Sequence, residues 1–191
     1  VEKPFAEGLA AERKIFMDLM ATDQRQGMIH AFFSERAVGN LPELKGVEPR
    51  SLQHIGVIGG GTMGAGIATS ALLSGFQVTL LEMTGEAAHK RIAGNLSGAL
   101  KRGKISQDKH DAILTSILTV VTNYDALSDV DLVIEAVFEE MSVKKKVFTE
   151  LDRVCKKGAI LASNTSYLDV NEIAACTNRP EDVIGLHFFS P

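Results

Sequence analysis

Cysteine is nearly absent. Cys155 and Cys176 are the only two in 191 residues, and they stand too far apart for a CxxC pair. Neither a disulfide framework nor a cysteine-based metal site is expected, no metal is assigned, and a reducing compartment fits best. No apolar run approaches the roughly 20 residues needed to cross a bilayer, so no membrane insertion is expected. Glu7, Glu12, Arg13 and Lys14 interrupt the N-terminal stretch and exclude a signal-peptide pattern, which points to an intracellular protein. Positive charge is not in excess either. The net charge is −4 and the pI about 5.7, which gives the molecule no electrostatic reason to seek nucleic acid. Its small basic runs, Lys101-Arg102 with Lys104 and Lys144-Lys145-Lys146, fall in segments that read as helices and are expected to be solvated faces.

What is present is the material of a core. Hydrophobic residues make up 45% and charged residues 23%, which excludes disorder and fibrous repeats. The length suits one full domain with a fragment of a second. Val1 stands where a methionine would start a complete chain, and the other end stops just after an apparent strand. Both ends therefore read as cut from a longer protein.

Residues 5–37 read as helices, with Leu9, Phe16 and Met20 near one face and Met28, Ile29, Phe32 and Phe33 forming a second apolar group. Two such helices have no partner layer of their own and need another domain to cover them. Residues 39–50 (GNLPELKGVEPR) hold two prolines and two glycines, which break both periodicities. The expected division is a helical tail over 1–38, a linker over 39–51, and a nucleotide-binding domain over 52–191.

Past the linker, short apolar runs alternate with helical stretches. Strands are expected at 55–58, 76–81, 118–122, 131–137, 159–162 and 183–189. Helices are expected at 62–74, at 85–117 (two, with Ser106 capping the second), from Ser142 to Val154, and near 169–176. Apolar strands alternating with helices imply a mostly parallel sheet covered on both faces. Short connections and right-handed crossovers then favour the doubly wound, Rossmann-type α/β fold, here preceded by a short helical segment.

Directly after the first strand comes Gly59-Gly60-Gly61-Thr62-Met63-Gly64, which satisfies G-x-G-x-x-G. Gly59 permits the tight turn, Gly61 lets a pyrophosphate approach the backbone, and Gly64 lets the helix pack closely. The helix N-terminus, beginning at Thr62 and Met63, offers free N–H groups and a positive dipole end to phosphates. Alone, the motif is a common glycine-rich turn. Here a strand precedes it, a helix follows, and the second strand ends at Glu82, 23 positions after Gly59 and near the expected spacing of a ribose-binding acid. A carboxylate there accepts from a ribose 2′-hydroxyl and repels a 2′-phosphate, so NAD is preferred over NADP. The motif by itself leaves flavin open.

Ligands in this fold sit beyond the carboxyl ends of the strands. Two polar clusters lie there: Ser163-Asn164-Thr165-Ser166 after the fifth strand, and His187 within GLHFFSP at the sixth. Histidine is the natural base for removing a hydroxyl proton while hydride leaves the same carbon, and a serine hydroxyl can hold the substrate oxygen. Taken singly, a histidine beside two phenylalanines is a core residue and SNTS a helix cap. Their joint placement favours function.

GGGTMG, LVIEAVFEE, ASNTSYLDV and GLHFFSP, in this order and separation over residues 52–191, resemble the L-3-hydroxyacyl-CoA dehydrogenase family. The resemblance implies His187 as general base and Ser166 as a contact to substrate and nicotinamide. It implies NAD contacts at Met63, Glu82, Val137, Phe138, Glu139, Lys144 and Asn164, beside the loop residues Gly59, Gly61, Thr62 and Gly64. The chain departs from the family in having Glu82 where Asp is frequent and Ser190 in place of the commoner asparagine, so no NAD contact is carried over to Ser190. The family's glutamate partner for the histidine and its helical substrate domain would lie beyond residue 191.

AERKIFMDLMATDQRQGMIHAFFSERAV in turn resembles the final helix and linker of the hydratase domain in fused β-oxidation proteins. The implied parent is a multifunctional enzyme that hydrates enoyl-CoA and oxidises the product, with an acyl-CoA as substrate and a thiolase or a second copy as candidate partner. Its expected location is the bacterial cytoplasm, with the peroxisome as the alternative. The isolated chain is expected to be nearly inactive. Two other readings keep the fold. One is a different β-hydroxyacid-type NAD dehydrogenase, which would need a catalytic lysine after the sixth strand. The other is a non-enzymatic NAD(H)-binding or assembly module.

Overall fold

The computed structural model describes residues 3–189, so Ser190 and the expectation attached to it lie outside the described residues. The chain divides into two units at Arg50 and Ser51.

The first unit holds α1 (Phe5–Met20) and α2 (Asp23–Val38). Thr22 caps α2, its hydroxyl accepting from the Arg25 N–H at 3.2 Å. Neither helix buries a single residue, and Phe16, Met28, Phe32 and Phe33 are all exposed. The apolar faces expected from the sequence are thus present and uncovered within this unit. The linker carries one 3₁₀ turn, Pro42–Leu44, with the proline at its first position, where a missing N–H costs nothing.

The second unit is a six-stranded sheet in the order β3-β2-β1-β4-β5-β6, parallel throughout. Its strands are β1 (His54–Ile58), β2 (Gln77–Leu81), β3 (Leu118–Val121), β4 (Leu132–Glu135), β5 (Ile160–Ser163) and β6 (Val183–Gly185). Between them run α3 (Thr62–Leu73), α4 (Gly85–Lys101), α5 (Gln107–Ala112), α6 (Met141–Val154) and α7 (Val170–Ala174). The doubly wound fold expected from the alternation is the one observed. Ser106 caps α5 as expected, accepting from the Lys109 N–H at 3.2 Å.

The pleat sends alternate residues to two cores. Ile55, Val57, Val78, Leu80 and Ile134 face α3 and α4, where Ala65, Ala68, Leu72, Ile92 and Leu96 meet them. Ile58, Leu81, Val133 and Leu161 face the other way, onto Val147, Phe148 and Leu151 of α6 and Ile173 of α7. By this parity Glu135 and Ser163, the last residues of β4 and β5, lie on the α6 side, directly opposite each other in register.

Most boundaries differ from expectation by a residue or two, β4 spans Leu132–Glu135 instead of 131–137, and two further differences bear on the site. β6 stops at Gly185 instead of running to residue 189. The Leu186 N–H still pairs with the Ser163 carbonyl at 2.9 Å, but the Phe188 N–H turns to the Asn164 side chain and the ladder ends. Helix α6 begins at Met141, one residue before Ser142, with Glu140 in the cap position.

Candidate functional site

The strand order reverses between β1 and β4, so the chain leaves their carboxyl ends toward opposite faces of the sheet, to α3 and to α6, and a crevice opens between the two loops. The glycine loop forms one wall. Gly59 has φ +95°, and a Cβ there would sit 2.8 Å from the Ala136 carbonyl oxygen. At Gly64 a Cβ would fall 1.8 Å from the Gly59 oxygen, so the start of α3 can pack on the turn only without a side chain. Gly60, which the motif leaves free, is equally constrained: its Cβ would meet that of Ala88 at 2.3 Å. Gly61 is the exception. A Cβ there would find no atom within 4 Å, and no side chain caps the turn that follows. The first N–H groups of α3 and the open space over Gly61 together form the kind of cradle a pyrophosphate requires.

Glu82 lies just past β2, beside the loop. One carboxylate oxygen accepts from the Gly60 N–H at 2.6 Å and the other from the Thr84 N–H at 3.2 Å. Burial pushes this carboxyl up, but backbone N–H groups of Gly60, Thr84 and Met83 outweigh it and hold it below the usual carboxylate range. Arg91 of α4 donates to the Gly60 carbonyl at 3.1 Å and braces the loop from outside. Glu82 is therefore ionised and aimed at the rim of the crevice, the geometry a ribose diol needs.

Across the crevice stands a charged cluster. The Glu135 side chain is fully buried and that of Lys144 is 1% exposed, with Nζ 2.8 and 3.0 Å from the two Glu135 oxygens. Lys144 also reaches Glu139 Oε2 at 3.1 Å, and Glu139 is 30% exposed. Glu139 Oε1 accepts from the Thr165 hydroxyl at 2.6 Å and from the Ser166 N–H at 2.7 Å. Burial pushes Glu139 up, but Thr165, Ser166 and the Lys144 ammonium together bring it down to about 2.

Lys144 thus departs from the solvated-face expectation for its basic run. The physical reason is legible in the sequence: Lys144, Val147, Phe148 and Leu151 follow the i, i+3, i+4, i+7 spacing of one helix face, and that face is the buried one. Lys146, by contrast, is exposed, as are Lys101, Arg102 and Lys104. Glu135 was not singled out from the sequence, and Ser163 only as the first member of its polar cluster. The signal available was a charged residue closing an otherwise apolar strand, LVIE, a position that the pleat turns inward.

The SNTS segment and the stretch after β6 meet as expected. Asn164 Oδ1 accepts from the Phe188 N–H at 2.8 Å, which ties the two together. Ser166 is exposed, its hydroxyl 3.3 Å from Glu139 Oε1. His187 is exposed with its ring tilted against Phe189 at 5.1 Å, and among the described residues its ring forms no ion pair with a carboxylate.

Two adjoining cavities span the crevice. One of about 640 Å³ is lined by Gly59, Gly61, Thr62, Met63, Glu82, Val137 and Phe138 among others. The next, about 360 Å³, is lined by Glu139, Lys144, Asn164, Ser166 and His187. Met63, Ala136 and Val137 line both, which makes the two one elongated trough. All the site residues expected from the sequence except Gly64, which is buried at the start of α3, therefore border one trough. Its lining, N–H donors at an uncapped helix end, an accepting carboxylate at the rim and a polar far end, fits a dinucleotide.

Residues 54–191 match the family described as "3-hydroxyacyl-CoA dehydrogenase, NAD binding domain". The chain is 40% identical over 189 residues to a peroxisomal fatty acid beta-oxidation multifunctional protein of Arabidopsis thaliana, covering 96% of this chain and 26% of that protein. It is 39% identical over 204 residues to a human peroxisomal bifunctional enzyme, covering 100% and 27%. The chain thus spans about a quarter of the length of these curated relatives. Among solved structures, a 3-hydroxybutyryl-CoA dehydrogenase from Escherichia coli is similar with a TM-score of 0.70 and 42% identity, over 74% of this chain and 30% of that one.

Proposed function

The chain belongs to the 3-hydroxyacyl-CoA dehydrogenase family as its NAD-binding domain, and on that premise we propose that it forms the cofactor-binding and proton-accepting half of an enzyme oxidising the C3 hydroxyl of an L-3-hydroxyacyl-CoA. The observation that carries this is the single trough joining the glycine loop and Glu82 at one end to Ser166 and His187 at the other. Gly59, Gly61, Thr62, Met63 and Gly64 would hold the pyrophosphate, Glu82 the adenosine ribose, and Val137, Phe138, Glu139 and Asn164 the nicotinamide end, with Lys144 behind Glu139. NAD bound there would supply the acceptor for the hydride leaving C3.

The chain's own residues do the remaining work. His187 accepts the hydroxyl proton on a ring nitrogen, and the Ser166 hydroxyl holds the reacting oxygen by donating to it. Glu82, kept ionised by backbone N–H groups, accepts from a ribose 2′-hydroxyl and disfavours a 2′-phosphate.

The division into a hydratase-domain tail over 1–38, a linker over 39–51 and the NAD-binding domain over 52–191 is part of the same reading, as is a parent protein that hydrates and then oxidises. The names of the curated relatives support the peroxisomal alternative over the bacterial cytoplasm. No helix among the described residues is long and apolar enough to cross a membrane. An acyl-CoA completed by a second domain, and a thiolase or a second copy as partner, are proposed on the resemblance alone.

The test is a calorimetric titration of NADH and NADPH into the chain, repeated with Glu82→Ala. Saturable NADH binding that weakens about tenfold in the variant, with NADPH much poorer, is expected. A well-folded chain that binds neither would overturn the cofactor assignment. In the parent protein, His187→Ala should cost about 10²- to 10⁴-fold in turnover while NADH binding is retained. Unchanged turnover removes His187 from the mechanism.

A further inference from the structure

We propose that Glu135 is a positioning residue for the site: it holds Lys144 so that Lys144 and Glu139 together fix the Thr165–Ser166 segment at the carboxyl end of β5. Its functional weight rests on the role given to Ser166 above.

Three donors converge on the two Glu135 oxygens. Oε1 accepts from the Val137 N–H at 2.8 Å and from Lys144, and Oε2 accepts from the Ser163 hydroxyl at 2.7 Å and from Lys144. No partner in this set accepts a hydrogen bond from Glu135. The position therefore requires a carboxylate, because a glutamine amide would turn N–H groups toward other donors. Lys144 in turn has three N–H groups and three oxygens around it, two on Glu135 and one on Glu139. Its donors are spent within the cluster, so its influence on the trough passes through Glu139.

Glu139 then latches a different segment. It comes from the loop after β4, yet it takes the Thr165 hydroxyl and the Ser166 N–H, both from the loop after β5. The Thr165 N–H closes the circuit on the Ser163 hydroxyl at 3.2 Å. Each link is a charge-assisted or buried hydrogen bond of good length, and the origin of the chain is a carboxylate with no exposed surface. A buried charge is costly unless it is paired and hydrogen-bonded, as Glu135 is, and Ser166 is the exposed group whose backbone this network reaches.

The test uses the 191-residue chain without cofactor. Amide hydrogen exchange is followed at Thr165 and Ser166 against Leu161 and Ala162 in β5, in the unsubstituted chain, Glu135→Gln, Lys144→Met and the double variant. Exchange at Ser166 should quicken at least tenfold in Glu135→Gln while Leu161 changes less than threefold. The double variant should be no faster at Ser166 than Lys144→Met alone, because Glu135 acts through the lysine. NADH affinity of Glu135→Gln should fall by about tenfold.

A Ser166 amide that quickens only in step with β5, or additive effects in the double variant, would make Glu135 a purely structural residue and overturn the proposal. If the glutamine variant does not fold, Glu135→Asp keeps the charge but draws it back one methylene. It must then quicken Ser166 selectively, and failure to do so overturns the proposal equally. Failure of the NAD assignment is distinguishable, since it appears as absent NADH binding in the unsubstituted chain whatever Ser166 does.

Discussion

The two ends of β4 carry the same pair of side-chain types and put them to different ends. Asp131 precedes the strand and Glu135 closes it; α6 runs back across the strand, so Lys144 in its first turn meets Glu135 and Lys156, just past its end, meets Asp131. At the amino end everything closes on backbone. Asp131 Oδ2 accepts from the N–H groups of Gln53 and His54 at 2.8 and 2.9 Å, and Lys156 adds the Asp129 carbonyl at 2.8 Å. That pair is a wet staple, with side chains 43% and 21% exposed. At the carboxyl end the pair is dry, and its spare contact, Glu139, opens into the trough. A lysine and a carboxylate are a staple where backbone donors complete them and part of a site where a cleft does.

The comparison is sharpest when each lysine is removed. Lys144→Met leaves the Glu135 charge buried without its counter-ion and should destabilise the chain by about 3–5 kcal/mol. Urea denaturation at neutral pH measures this as a lower midpoint with an unchanged slope. A loss below about 1 kcal/mol would mean that water reaches Glu135 and that the dry end is not dry.

Much of this was legible beforehand, and the illegible part has one cause. The sheet, the loop at 59–64, Glu82 and His187 follow from periodicity and motif, because each is local in sequence, and the family resemblance picks Ser166 out of its cluster. Glu135 and Ser163 matter because they sit opposite each other in register across 28 residues, and register between β4 and β5 is a tertiary fact. Lys144 lies between these cases. Its spacing with Val147, Phe148 and Leu151 is that of an inward-facing residue, but its place in a run of three lysines suggested a solvated face, and only the family resemblance implied a contact there. Burial decided it, because two carboxylates were waiting on that side. The early end of β6 was hidden for a similar reason, since the Asn164 side chain takes the N–H that would have extended the ladder.

A second difference between the ends should appear in acid. Glu139 is held at about 2 against an ordinary value of 4.5, burial being outweighed by Thr165, Ser166 and Lys144. A carboxylate with a depressed folded-state value stabilises fully above its ordinary value and ceases to do so as pH falls through the folded one. The cost of Glu139→Gln should therefore be full at pH 7 and shrink by about 2 kcal/mol between pH 5 and pH 2, allowing for the screening of a partly exposed group. Denaturant midpoints of both chains across that range check it. A difference that stays constant with pH would detach Glu139 from the charged cluster.

The smallest effect belongs to the wet staple. The hydrogen bond from Lys156 is the first reason that Asp131 lies at about 2, ahead of the N–H groups of His54 and Gln53. Lys156→Met removes it but leaves both backbone donors, so Asp131 stays where it is and its value moves up toward the ordinary 3.8. The loss should be about 1 kcal/mol at neutral pH, as for other solvent-screened pairs, and should fade as pH falls from about 4 to 2. NADH binding should not change, because Lys156 and Asp131 lie at the amino ends of the strands and the trough at the carboxyl ends. A tenfold loss of NADH affinity in Lys156→Met would break the comparison, since it would mean that α6 transmits strain from one end of β4 to the other and that the staple is part of the site.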